Sequence, residues 1–145
     1  MRYLTKEWYI LSQTYPLPEA LKHQLQEAET ARQKAQAQLP SELLRAFMFH
    51  DGIIQKISTG KDYMISIVSP WSDFHKITFC DAIVKQEEPP VGAVWLYQEL
   101  YPHKSGIGYE AHMLFHKHSP AEGKGILPSC LFDLKVICQD ITFEK

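Results

Sequence analysis

The hydrophobic period of this chain changes once, near residue 50, and that change restricts the fold more than any other feature. Before it, apolar residues recur every three or four positions; after it they alternate or run in short blocks. Thr5 is placed to N-cap a short helix with Trp8, Leu11 and Tyr15 inward. Pro16 and Pro18 end that helix, and Pro18 suits the first position of a second. In the second helix Leu17, Leu21, Leu25, Ala28, Ala31 or Arg32, Ala35 and Leu39 step by helical spacing. A stripe this narrow, turning from Leu to Ala, fits packing within the chain, and too few heptads are present to favour a coiled coil. Pro40 stops the helix, Ser41 is expected to cap a third over Glu42–His50, and Gly52 ends it.

Strand patterns follow at Ile53–Ser58, Tyr63–Ser69, His75–Glu87, Val94–Tyr101, Gly108–His116 and Cys130–Phe143, separated by segments rich in Gly, Pro, Ser or Asp. Connections this short permit only antiparallel pairing, because a parallel crossover needs a dozen or more residues. In the last run Ile141 and Phe143 break the phase of Phe132, Leu134, Val136 and Cys138, so a bulge is expected near Gln139-Asp140. The expected fold is α+β: three N-terminal helices packed on a C-terminal antiparallel β-meander of five or six strands. One domain should span residues 1–145, with a helical part to about residue 51 and a β part from about residue 52.

Val94–Tyr101 and Gly108–His116 form the most informative pair. With Tyr101 opposite Gly108, one face carries Leu96, Gln98, Leu100, Tyr109, Ala111, Met113 and Phe115, apolar enough to be core. The other face carries Trp95, Tyr97, Glu99, Tyr101, Glu110 and His112, followed by Leu114 and His116. In that register Glu99 faces Glu110, and like charges directly opposite are destabilising. Compensation is expected from a cation, from a Lys or Arg elsewhere in the chain, or from a raised carboxyl pKa. Trp95, Tyr97, Glu99, Tyr101, Glu110 and His112 are therefore the candidate binding face. A solvated sheet face with ordinary cross-strand pairs has the same pattern.

Other constellations carry less chemistry. His50-Asp51 reads as a helix C-terminus and turn, since a metal site needs several convergent ligands. His112 and His116 lie about 13 Å apart on a regular strand, too far to share an ion, and His118 alone does not rescue the site. Gly123-Lys124-Gly125 lacks the other P-loop positions and reads as a turn. No nucleophile motif is present. No catalytic residue, metal or cofactor is assigned, and enzyme activity is left open with the balance against it.

Net charge is −2 and the 15 basic residues are scattered, so no nucleic-acid partner is expected. Cys80, Cys130 and Cys138 are an odd count without metal-ligand spacing, which argues against a disulfide framework and for buried free thiols. The N-terminal residues lack the apolar core of a signal peptide, and no segment approaches the roughly 20 apolar residues of a membrane span. A cytoplasmic protein with no membrane partner is expected, of undetermined oligomeric state.

Tyr3-Leu-Thr-Lys-Glu-Trp-Tyr9, Phe49-His-Asp-Gly-Ile53, Trp95-Leu-Tyr-Gln-Glu-Leu-Tyr101, Gly108-Tyr-Glu-Ala-His-Met-Leu114 and Leu134-Lys-Val-Ile-Cys-Gln-Asp-Ile141 together resemble an uncharacterised bacterial family of small proteins, known as a domain of unknown function. The resemblance spans nearly the whole chain and implies a bacterial cytosolic protein; it brings no activity, cofactor or site residue. Pro102–Ile107 and Ser119–Ser129 depart from the family pattern. Helix-plus-meander proteins of this size also recur among immunity proteins of bacterial toxin systems, an analogy at the level of fold. The expected function is a non-catalytic binding protein, immunity- or adaptor-like, recognising a protein partner through the aromatic–acidic face. The alternative is a small hydrolase or isomerase using Glu99, Glu110 and His112, with or without a divalent cation.

Overall fold

The computed structural model describes residues 1–13, 16–117 and 128–145. The positions read above for Tyr15, His118 and the Gly123-Lys124-Gly125 turn lie outside the described residues. Three helices come first: α1 (Lys6–Ser12), α2 (Glu19–Gln36) and α3 (Ser41–Ala46). Eight strands follow: β1 (Ile53–Ser58), β2 (Tyr63–Val68), β3 (Lys76–Cys80), β4 (Ile83–Gln86), β5 (Val94–Pro102), β6 (Tyr109–His116), β7 (Leu131–Cys138) and β8 (Asp140–Glu144), with a 3-10 turn at Pro128–Cys130 before β7.

Local chemistry sets the helix ends. The Thr5 hydroxyl accepts the Trp8 N–H at 3.1 Å, which makes Thr5 the N-cap of α1 as its side chain suggests. Ser41 is the first residue of α3 and makes no cap hydrogen bond; Pro40 occupies the cap position. The third helix is also shorter than expected. Phe47 leaves the helical conformation at φ −82°, ψ 46°, and this frees Phe47 and Phe49 to enter the core.

The fold class is α+β with an antiparallel sheet, but the sheet has eight strands rather than five or six. Their order is β4-β7-β6-β5-β1-β2-β3-β8. Two meanders, β1-β2-β3 and β5-β6-β7, meet where Ile53 of β1 pairs with Val94 of β5. The extra strands arise because two of the expected runs break. One divides into β3 and β4 at Asp81-Ala82, where Asp81 takes φ +50°, and the other into β7 and β8 at Gln139. The same register holds on both sides of these interruptions: Cys80 lies opposite Asp140, Ile83 opposite Ile137, and Gln139 N–H donates to the Cys80 carbonyl at 2.9 Å between them. At the phase change Gln139 and Asp140 both lie against Cys80, the two-against-one pattern expected of a bulge, and Asp81-Ala82 on the other strand of this two-stranded ribbon restores the register beyond it.

One half of the ribbon extends β1-β2 and the other extends β5-β6. The two ends of the strand order are halves of the same two runs, so the sheet closes on itself as a barrel. The core fills the inside. Ile54, Ile65, Ile67, Ile77 and Phe79 come from one side and Trp95, Leu100, Met113, Phe115, Leu134 and Val136 from the other, all essentially without solvent contact. Phe47 bridges the two sides, its ring edge-on to both Phe79 and Trp95 at 6.2 and 5.6 Å. The helices do not form the expected covering layer. α2 buries only Gln36, and neither α1 nor α3 contains a fully buried residue. Among the described residues no helix is long and apolar enough to cross a membrane.

The β6 end of the ribbon demands a residue without a side chain. Gly108 sits at φ +80°, and a Cβ there would stand 2.1 Å from the Cys138 carbonyl oxygen. Gly106 has the same φ with open space around it. Gly108→Ala should therefore cost more than about 2 kcal/mol in urea unfolding, whereas Gly106→Ala should cost about 1 kcal/mol from backbone strain alone. Equal costs would show that the close approach to β7 does not constrain the hairpin.

Candidate functional site

The β5–β6 hairpin presents its polar row on the outside of the barrel, but in a different register from the one its pattern suggests. Tyr101 pairs with Glu110 and Glu99 with His112, so the expected Glu99–Glu110 opposition is replaced by a slip of two residues. The slip preserves the side-chain parity and separates the like charges. A bulge between Trp95 and Tyr97 then changes the faces at the far end of β5. Trp95 turns inward and is completely buried against Phe47, Phe49 and Phe115, while Leu96 joins Leu114 and Leu131 in a small outer cluster. Of the six candidate residues, Trp95 is thus core, Tyr97 is half-buried, and Glu99, Tyr101, Glu110 and His112 are buried beneath the N-terminal segment.

That segment is the part of the site that carries no local signal in the sequence. Glu99, 0% exposed, accepts three successive backbone N–H groups: Arg2 at 2.8 Å, Tyr3 at 3.0 Å and Leu4 at 2.6 Å. The Tyr101 hydroxyl adds a fourth hydrogen bond to the same carboxylate at 3.1 Å. A buried carboxylate is tolerable only when its lone pairs are filled in this way. The Arg2 guanidinium lies 4.0 Å from the Tyr101 ring centroid and donates to Glu110 at 3.2 Å. Glu110 also takes Lys135 at 3.1 Å and His112 Nε2 at 2.7 Å, and Asp133 holds the α-amino group of Met1 at 2.9 Å. The two carboxylates do not face each other, and each has its own partners: Arg2 and Lys135 neutralise Glu110, while backbone N–H groups and the Tyr101 hydroxyl satisfy Glu99.

These contacts set the protonation states. Burial alone would raise the Glu110 carboxyl, but hydrogen bonds from His112, Lys135 and Arg2 outweigh it and push the pKa down to about 2. Burial lowers the His112 pKa and keeps the ring neutral, against the opposing pull of Glu110. Burial and then the Glu99 charge raise the Tyr101 phenol, which stays protonated and can donate. Each group is thus held in the form that its partners need. Among the described residues no group of three or more His, Cys, Asp or Glu side chains is arranged to hold a metal ion. His50, considered above as half of a metal pair, uses Nδ1 on the Leu96 carbonyl and lies against the Tyr97 ring.

Two features were not anticipated from the sequence. Trp8 of α1, Leu25 and Arg32 of α2 and the Tyr97-Gln98 step of β5 surround a cleft of about 450 Å³. Elsewhere Ile53 and Val68 are cross-strand partners that face solvent, 45% and 55% exposed, and Trp71, three residues after Val68, is 65% exposed. Their sequence signals were the alternation of β1 and β2, which sets Ile54 and Ile67 inward and so turns Ile53 and Val68 outward. Comparison with protein-family models, with curated proteins and with solved structures found no match to this chain.

Two predictions test whether the carboxylates hold the scaffold. Glu99→Gln should destabilise by about 2–4 kcal/mol, since an amide cannot accept all four donors, and Glu110→Gln by about 1–2 kcal/mol because Arg2 is partly solvated. Urea unfolding of both variants decides; unchanged midpoints would return both carboxylates to the surface.

Acid should act in two stages. The folded state keeps His112 below its ordinary 6.5, so the unfolded chain protonates first and stability falls as pH drops below about 6.5. Glu110, lowered from 4.5 to about 2, contributes stability that is present above 4.5 and lost as pH falls through that window. Urea midpoints measured from neutral pH downward should show both stages, with His112→Gln removing the first and Glu110→Gln reducing the second, to which Glu29 and Glu87, also lowered by their cationic partners, contribute.

Proposed function

We propose that this is a non-catalytic binding protein, adaptor- or immunity-like, that engages a protein partner through the exposed apolar side chains of Ile53, Val68 and Trp71. The observation that carries the reading is Trp71, a large amphipathic ring 65% exposed in the turn that follows the outward-facing pair Ile53 and Val68. Tryptophan is among the favoured anchors of protein interfaces. The indole is held in place by an Nε1–H bond to Asp51 at 3.4 Å. Positioning of that kind reduces what is lost when a side chain is immobilised on binding.

The aromatic–acidic face read from the sequence is covered by the N-terminal segment. Glu99 is filled by backbone amides and the Tyr101 hydroxyl, and Glu110 by Arg2, Lys135 and His112 Nε2, while the buried His112 Nδ1 has no partner among the described residues. The engagement of both carboxylates beneath the N-terminal segment weighs against their use as the acid–base machinery of a hydrolase or isomerase. The proposal includes a bacterial cytoplasmic setting, with which the free thiols of Cys80, Cys130 and Cys138 are compatible.

A photo-crosslinking phenylalanine analogue at position 71, expressed in the native host, tests the reading. A discrete protein adduct is expected, and Val68→Asp should abolish it while changing the unfolding free energy by less than about 0.5 kcal/mol. Absence of the adduct, or an adduct indifferent to Val68→Asp, would overturn the proposal.

A further inference from the structure

We infer that the cleft between α1, α2 and β5 binds a small uncharged molecule with an apolar body and a carbonyl oxygen at one end. Its volume, about 450 Å³, falls within the range of small-molecule sites. Two different walls define the ligand. One is apolar: Leu4 and Leu25 face the aromatic pair Trp8 and Tyr97, whose rings meet edge-on at 5.2 Å. That wall suits a flat or branched hydrocarbon body.

The other wall offers hydrogen-bond donors. Gln98 uses its Oε1 to accept the Trp95 indole N–H at 2.9 Å, which fixes the amide and leaves its Nε2–H group as the free end. Arg32 donates Nε and Nη2 to Glu29 and Nη1 to Gln36, so each Nη keeps one further N–H. Glu29 and Gln26 also line the cleft, but the Glu29 oxygens are taken by Arg32 and Gln33, and Gln26 is solvent-exposed. The unspent groups facing the ligand are therefore donors, among them the buried Trp8 Nε1–H, which has no partner among the described residues, and they call for an acceptor. Charge is excluded by the same bonds: the guanidinium is neutralised by Glu29, whose carboxyl is held below its ordinary pKa by that pairing. A carboxylate ligand would meet the Glu29 charge, and a cation would meet Arg32. An amide, ketone or ester carbonyl satisfies the donors without either repulsion.

The site exists because α2 is poorly buried. It lies along β5 with Leu25 only half-covered, over the consecutive residues Tyr97 and Gln98 that follow the β5 bulge.

Prodan, a flat naphthyl ketone without charge, is a suitable probe for the full-length protein, with anilinonaphthalene sulfonate as its charged counterpart. Prodan should give a saturable, blue-shifted emission, and the sulfonate should bind at least tenfold more weakly. The Trp8 indole and Gln98 side-chain amide resonances should shift on titration. Leu25→Trp, which fills the cleft from a half-exposed helix position, should weaken prodan at least tenfold. Leu25→Lys provides a second block if the larger ring perturbs α2. Three results would each overturn the inference: no saturable prodan signal, equal or tighter binding of the sulfonate, or prodan binding that neither Leu25 variant weakens.

Discussion

Everything in this molecule depends on one two-stranded ribbon, residues 76–86 paired with 134–144, whose register is the same on either side of a bend in both strands. Because its halves join opposite ends of the sheet, the ribbon converts two meanders into a closed barrel. Closure gives the interior side chains of both meanders a common core, with Phe47 and Phe49 filling the space between them. It also removes most of the unpaired strand edge that an open sheet would present. The helices are then left with little apolar surface to cover, which is why α2 is so sparsely buried and a cleft persists beneath it.

The outer face of β5 and β6 solves a different problem. It places two carboxylates and an imidazole on a surface that the N-terminal segment covers. Without partners these groups would be costly to desolvate. The segment supplies three backbone donors to Glu99 and a guanidinium to Glu110, while β7 supplies Lys135. The polar groups thus specify where the first residues of the chain lie, and apolar contacts alone would define that position less sharply.

The sequence made some of this legible and concealed the rest for identifiable reasons. Thr5, the break of period near residue 50 and all six strand runs are local features, and local features are readable. The β5–β6 pairing parity was also readable, because a slip of one residue would invert both faces. Its register was not: a slip of two preserves every face, and only the opposition of Glu99 and Glu110 argued against the looser alignment. The alternation puts Trp95 on the outer face, whereas it is buried inside, because a bulge is a single extra residue with no composition of its own. Arg2 and Lys135 answer the demand for a compensating cation, yet nothing near residue 99 or 110 indicates which of the scattered basic residues will arrive. Closure of the sheet was likewise hidden, since it rests on bends at Asp81 and Gln139 that a hydrophobic pattern registers only as a change of phase.

Closure also fixes when the molecule can form during its own synthesis. Lys76 finds its strand partner in Glu144, and Glu99 and Glu110 wait for a hairpin that needs β7 beside it. Until the last of these residues has left the ribosome, the β1-β2-β3 meander has one flank unpaired and its interior isoleucines exposed. Such long-range pairings must be made before the core is secured, and they make folding slow and dependent on the whole stretch from Lys76 to Glu144. The nascent protein is therefore most exposed to aggregation in the interval between translating residue 80 and residue 144, and a chaperone that shields β2 and β3 would act in that interval.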